Sequence, residues 1–270
     1  ACGKTFLPEV SANENTNYCQ PGVAASNHYI ADRRPDKQPS LISFDTFTAS
    51  LRAYKHNHLI TYLTGLFGSA VTHSLIKKYF IGTSRYWNGA TVFWQCDIAG
   101  RIRAGKVMLY DPATGKRVQK PFTHINWVHK LINQPDYNLK QCFFGEHLLI
   151  NNTKPVALVE SEKTAIIASE YLPMYLWLAT GGSNGIRWNK PEVFKVLKGH
   201  QVVLWPDIQS YNDWSTKGEV LIENGIQVST SRLLEQNCTE AERSSKLDIA
   251  DFLVRFPLAK FKNGYTTLPP

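Results

Sequence analysis

The stretch PVALVESEKTAIIAS, residues 155–169, constrains the fold of this chain more than any other. Val156 to Val159 form an apolar run that ends on the carboxylate of Glu160, and a helix-like segment begins at once. That order describes a β-strand carrying an acid to its C-terminal tip, the edge at which open α/β sheets bind ligands. The pattern returns in QVVLWPDIQSYNDW (201–214), where Val202 to Trp205 read as a buried strand and Asp207 sits just past its end. Two such tips on neighbouring parallel strands aim carboxylates at one place. A pair of that kind suits Mg²⁺ or Mn²⁺, hard cations satisfied by a few carboxylates, water and phosphate oxygens.

The charge distribution points the same way. Lys and Arg outnumber Asp and Glu 17 to 9 over residues 1–150 and stand level at 13 to 13 over residues 151–270, so the whole excess of +8 lies in the first half. A basic half beside a neutral half with clustered acids suits a polyanion held next to a metal site, although an ordinary basic surface has the same composition. The chain has 270 residues, 43% hydrophobic and 19% charged, enough for a sizeable core in one large or two smaller domains. No apolar run approaches the roughly eighteen residues of a membrane span, and no signal segment opens the chain. Five cysteines at irregular spacing do not form a disulfide framework, so a reducing cytoplasm is expected and no membrane partner is.

Along the chain, ADRRPDKQPS (31–40) reads as a linker. Residues 43–80 have helical spacing, with Phe44, Phe47 and Leu51 and then Leu59, Tyr62, Leu63 and Leu66, and with Ser43 and Ser69 as N-caps. Two strands surround the turn Asp97–Gly100, and a second turn covers Asp111–Gly115. A helix is expected at about 125–133. From 143 strands and helices alternate: LLI (148–150), ALVE (157–160), a helix at 162–171, YLWLA (175–179), a helix near 190–197, VVLW (202–205), a helix near 211–224, QVSTSRLL (227–234) and DIADFLV (248–254). Such alternation predicts an α/β fold with a largely parallel sheet covered by helices.

Five segments carry a family resemblance: FGEHLL (144–149), VESEKTAIIAS (159–169), LATGGSNG (178–185), VVLWPDIQSYNDW (202–214) and LDIADFL (247–253). In order and spacing they resemble a Toprim domain, the metal-binding fold shared by bacterial-type primases, topoisomerases and related nucleases. More closely, the chain resembles Toprim-containing primase-like proteins of Bacteroidetes genomes and their mobile elements. LFGSAVTHSLIKKYFIGTS (66–84) and VFWQCDIAGRIRAGKVMLY (92–110) resemble the small α+β region that precedes Toprim in bacterial primases. The resemblance implies a degenerate zinc-ribbon segment and linker at 1–40, a primase-like α+β region at 41–144, a Toprim domain at 145–257 and a tail at 258–270.

Carried over residue by residue, the resemblance makes Glu160 the catalytic acid of the Toprim motif and Asp207 the first acid of an Asp-x-Asp pair. The second position of that pair is Gln209, which can ligate only through a neutral carbonyl oxygen. Thr164 stands where primases have a further acid, and Asp248 and Asp251 lie where primases carry another acidic cluster. Cys2 and Cys19 with His28 supply three of the four ligands that structural zinc needs, so bound zinc is not expected unless a first cysteine precedes residue 1. The implied activity is metal-assisted nucleotidyl transfer on single-stranded DNA, with nucleoside triphosphates as substrates and a replicative helicase as a possible partner. A DNA-binding accessory with a decayed metal site, or a phosphodiester-cleaving nuclease, are the alternatives.

Each of these residues also has a plain structural reading. Glu160 suits a helix N-terminus, Asp207 a turn, and Asp248 the cap of the helix containing DIADFL. Arg101, Arg103 and Lys106 sit along one strand as a template path or as a solvated face. Lys163 is a phosphate contact or a solvated side chain. Trp87, Trp94, Trp127, Trp188, Trp205 and Trp214 include candidate stacking platforms beside core residues. His124 and His129 have no matching partner, and no phosphate-binding G-x-x-x-x-G-K-[ST] loop is present.

Overall fold

A computed structural model of the chain describes residues 38–182, 185–244 and 247–262. Cys2, Cys19 and His28, and with them the zinc-ribbon expectation, lie outside the described residues. The first half begins with helices α1 (Phe44–Ser50) and α2 (His58–Tyr79). Ser43 caps α1 through its hydroxyl, as expected. Asn57, not Ser69, caps α2, and Ser69 follows a break in that helix at Gly68, whose φ is 77°. Asn57 is fully buried. Its amide group also donates to Gly82 O, and its carbonyl accepts from the Thr91 hydroxyl, which ties the helix to the sheet below it.

That sheet is antiparallel, in the order β1 (Gly82–Ser84), β2 (Ala90–Cys96), β3 (Ile102–Met108) and β4 (Ile125–Trp127). The turn between β2 and β3 is held by the Asp97 carboxylate, which accepts from the backbone amides of Ala99 and Arg101. Gly100 supplies the left-handed residue that this turn needs, at φ 73°. The helix expected at 125–133 is instead strand β4 followed by one turn, α3 (Val128–Leu131). Ile125 and Trp127 pair with Met108 and Lys106, so cross-strand pairing overrides the local helical pattern.

The second sheet is wholly parallel, in the order β6-β5-β7-β8. Its strands are β5 (Val156–Val159), β6 (Leu176–Ala179), β7 (Gln201–Leu204) and β8 (Gln227–Thr230). Between them run α4 (Glu162–Tyr171), α5 (Pro191–Phe194) and α6 (Tyr211–Glu223). They are followed by α7 (Leu233–Asn237), α8 (Glu240–Arg243), α9 (Ile249–Leu253) and α10 (Ala259–Lys262). All four residues of β5 are fully buried, as a central strand covered on both faces requires. At about 1.5–3 kcal/mol for each large apolar side chain buried, slipping this strand out of register is prohibitive.

Two strand expectations are corrected. Residues 146–149 form a single 3₁₀ turn, because Gly145 at φ 84° swings the chain away; Phe144 bridges to Ala179 of the sheet, and Leu149 packs beside it as a core side chain. The run 227–234 is a strand only to Thr230, and Leu233 already begins α7. The main core cluster is continuous from α2 and β2 through β5, β6 and α4 to α9. Within it, Tyr79 stacks on Phe144 and donates its hydroxyl to Trp177 O at 3.2 Å. Among the described residues α2 alone has the length and apolarity to cross a membrane. Here its Leu59, Leu63, Leu75 and Tyr79 are fully buried in that core.

Candidate functional site

Strand order decides where a ligand can sit. From β5 the chain crosses to β6 on one side and then returns to β7 on the other. The crevice between the carboxyl ends of β5 and β7 is therefore the switch point of the sheet, the usual ligand position in open α/β folds. Glu160 immediately follows β5 and Asp207 follows β7. The Glu160 backbone is clamped: its carbonyl accepts from the amides of Gly181 and Gly182, both at 2.9 Å. Two successive residues at φ 88° and 104° make this convergence possible, a conformation that glycine adopts without strain. The Asp207 segment is fixed by Trp205 N donating to Leu158 O and by Ile208 N donating to Leu247 O.

Asp248 caps α9, accepting from Asp251 N at 2.9 Å, and its other oxygen accepts from the Thr164 hydroxyl. Thr164, which replaces an acid of the implied pattern, thus supports an acid from another element. Asp251 completes the capping box and pairs with Lys163 at 3.7 Å. Asp207 registers this neighbourhood. Burial, and then the charges of Asp248, Glu160 and Asp251, push its carboxyl up to about 8. Partial burial and Asp248 raise Asp251 as well.

Two cations missed by the sequence reading act on these acids through their charge. Arg117 draws the Asp207 carboxyl back down, and Lys116 does the same for Asp251. They lie at the tip of the β3–β4 connection. Gly115 in that tip packs so closely on the Tyr62 ring of α2 that a Cβ there would collide with it. The connection has no hydrophobic period, so only its Lys-Arg pair hinted at a role.

Gln209 adopts φ 69°, its backbone N–H donates to the Glu235 carboxylate at 2.8 Å, and the residue borders a separate hollow with Tyr211, Asn212, Arg232 and Glu235. The basic residues expected to line a template path serve mainly as internal partners. Arg101 and Arg103 both donate Nε to Asp97, at 2.9 and 2.7 Å, and only Arg101 keeps an exposed face. Burial pushes the Asp97 carboxyl up, but the Arg101 amide and the two guanidinium groups outweigh it and hold the carboxyl below its usual value. Lys106 is 6% exposed, with its ammonium on Glu162 at 3.1 Å and on Gly181 O at 2.8 Å. That side chain is corrected from a surface contact to an internal tie between the two sheets. Trp94, Trp188, Trp205 and Trp214 are core residues.

A cavity of about 420 Å³ opens beside Glu160, bounded among others by Thr180, Gly182, Arg187, Asn189, Trp214 and Lys217. Its size suits a small ligand. Among the described residues no three His, Cys, Asp or Glu side chains lie close enough to grip a metal unaided. The donor set is nonetheless all hard oxygen, and the burial and like-charge repulsion that raise Asp207 are what a divalent cation offsets. The fit is to Mg²⁺ or Mn²⁺ held by one or two carboxylates, with phosphate oxygens and water as the remaining ligands.

A family model described as "Domain of unknown function (DUF6371)" matches residues 57–208, more than half of the chain. No curated protein matches the sequence. Among solved structures, the RNA polymerase domain of Mycobacterium tuberculosis primase DnaG is similar at 11% identity and a TM-score of 0.47, over 80% of this chain and 82% of that one. The E. coli primase catalytic core is similar at 13% identity and a TM-score of 0.47, over 74% and 77%. A DnaG primase catalytic domain bound to single-stranded DNA is similar at 13% identity and a TM-score of 0.46, over 80% of each chain.

Proposed function

The chain belongs to the DUF6371 family, and we propose that this member is a primase-like protein with a Toprim-type sheet that acts on single-stranded DNA. The observation that carries the reading is the placement of Glu160 and Asp207 at the tips of adjacent central strands, at the switch point of the parallel sheet. In this reading Glu160 and Asp207 hold a divalent cation, with Asp248 and Asp251 as further carboxylates beside it. The cation, when bound, neutralises phosphate charge and positions the attacking oxygen for nucleotidyl transfer. Lys116 and Arg117 hold phosphates from the opposite side, and the cavity beside Glu160 accepts a nucleotide. The setting in mobile-element replication, with a helicase partner, rests on the sequence resemblance alone.

Two observations favour a non-catalytic DNA-binding accessory. Gln209, at the second position of the acid pair, borders a separate hollow with Tyr211, Arg232 and Glu235, and both oxygens of Asp248 are engaged. Labelled-nucleotide incorporation on single-stranded DNA with Mg²⁺ or Mn²⁺ separates the readings. Incorporation is expected, falling at least about 100-fold in Glu160→Gln. Salt-sensitive DNA binding without incorporation favours the accessory, and metal-dependent shortening of the DNA favours a nuclease.

A further inference from the structure

Single exposed aromatic residues are common, but a surface gathering of rings is not. Tyr86 and Phe122 are 53% and 55% exposed. Between them lie two half-buried rings, Trp87 and His124. The centroids of Tyr86 and Trp87 are 4.6 Å apart, those of Trp87 and His124 5.0 Å, and those of His124 and Phe122 4.4 Å at an interplanar angle of 24°. The rings come from two separate loops, each tied to the antiparallel sheet. Ala90 N donates to Trp87 O, Val118 N to Leu109 O, and His124 N to Val118 O. The cluster is therefore held in place before any ligand arrives.

Its charge is one-sided. Arg85 and Lys120 flank the rings, are exposed, and take part in none of the ion pairs among the described residues. The segments 85–96 and 112–135 contain no Asp or Glu. Rings with unopposed cations and no acid match a strand of bases on a phosphate backbone better than a protein surface of mixed charge. Phe122 also follows Arg117, whose charge acts on Asp207, by five residues, at most about 18 Å of chain. We propose that Tyr86, Trp87, Phe122 and His124 form a stacking platform for the bases of a single nucleic-acid strand, with Arg85 and Lys120 on its phosphates. The proposal rests on the nucleic-acid reading above and locates where that strand lies.

The test is equilibrium binding of fluorescent oligothymidylate and of its abasic counterpart to the full chain. Phe122→Leu and Tyr86→Leu keep apolar bulk without a ring, and Phe122→Tyr restores one. Each leucine variant is expected to bind oligothymidylate about tenfold more weakly, with an unchanged salt slope, and the abasic strand as the unaltered chain does. Phe122→Tyr is expected to stay within about threefold of the unaltered chain. Lys120→Ala is expected to lower the slope of log affinity against log salt by roughly 0.7 for both strands. If the unaltered chain binds neither strand, the nucleic-acid reading and the platform fall together. If it binds and the leucine variants match it, only the platform falls. If the leucine variants bind normally but sediment as a smaller species, the cluster is a contact between copies and the platform is wrong.

Discussion

Replacing Lys106 with methionine is expected to lower the unfolding free energy by about 3–5 kcal/mol. Lys106 and Glu162 are 6% and 2% exposed, and the ammonium carries both carboxylate oxygens of Glu162 together with the carbonyl of Gly181. Methionine fills similar space but leaves the Glu162 carboxylate buried without a counter-charge, and that desolvation is the larger part of the loss. The double variant Lys106→Met with Glu162→Leu is expected to recover most of it, since a buried pair is often worth no more than its apolar replacement. Urea unfolding of the two single variants and the double variant measures both effects. A neutral Lys106→Met would show that water reaches the pair. The consequence for function is direct. Lys106 comes from β3 of the antiparallel sheet, whereas Gly181 belongs to the glycine turn that clamps Glu160. The same side chain thus joins the two sheets and steadies the strand tip.

Asp207→Asn is expected to stabilise the cation-free protein at pH 8 and to leave it unchanged at pH 4. The Asp207 carboxyl, raised to about 8 in the folded state, sits near 3.9 in the unfolded chain. Between those values the folded state holds a proton that the unfolded state has released. Stability contributed by the protonated carboxyl is fully present below pH 4 and is lost as pH rises through 8. The total is on the order of 2–5 kcal/mol. Asparagine has no such dependence. Melting curves in a chelator from pH 4 to pH 8 are expected to diverge, with the variant flatter; parallel curves would mean that Asp207 is not raised. Excess Mg²⁺ is expected to narrow the gap at pH 8, because only the carboxylate gains from the ion.

The strand tips were legible because apolar runs ending in an acid, with a helix start directly behind, leave few other arrangements. β5 and α4 lie where the pattern put them, and the capping reading of Asp248 describes its geometry. The facing of the antiparallel strands was not legible. Lys106 reads as a surface residue on an alternating strand, and only its distant partners, Glu162 of α4 and Gly181 of the glycine turn, hold it inward. The left-handed backbone of Gln209 leaves no local signal, since Asn, Asp or Gly would have marked it and Gln does not. Leu148, Leu149 and Ile150 formed too short an apolar run to distinguish a strand from a helical turn. Lys116 and Arg117 lie in a connection whose path is set by Gly115 against Tyr62, a contact between distant parts of the sequence.

The proposed function stands or falls with Glu160 and Asp207 forming a divalent-cation site at the switch point of the parallel sheet. Mn²⁺ titrated into the protein, with the paramagnetic signal of the free ion as readout, counts the bound ions. One ion per chain is expected, bound more tightly when a nucleoside triphosphate supplies phosphate oxygens. Asp207→Asn and Glu160→Gln are each expected to weaken it at least about tenfold, and Gln209→Asp to change it by less than about threefold. Mn²⁺ binding that survives the loss of both acids, or no binding with or without nucleotide, would show that Glu160 and Asp207 do not hold a cation.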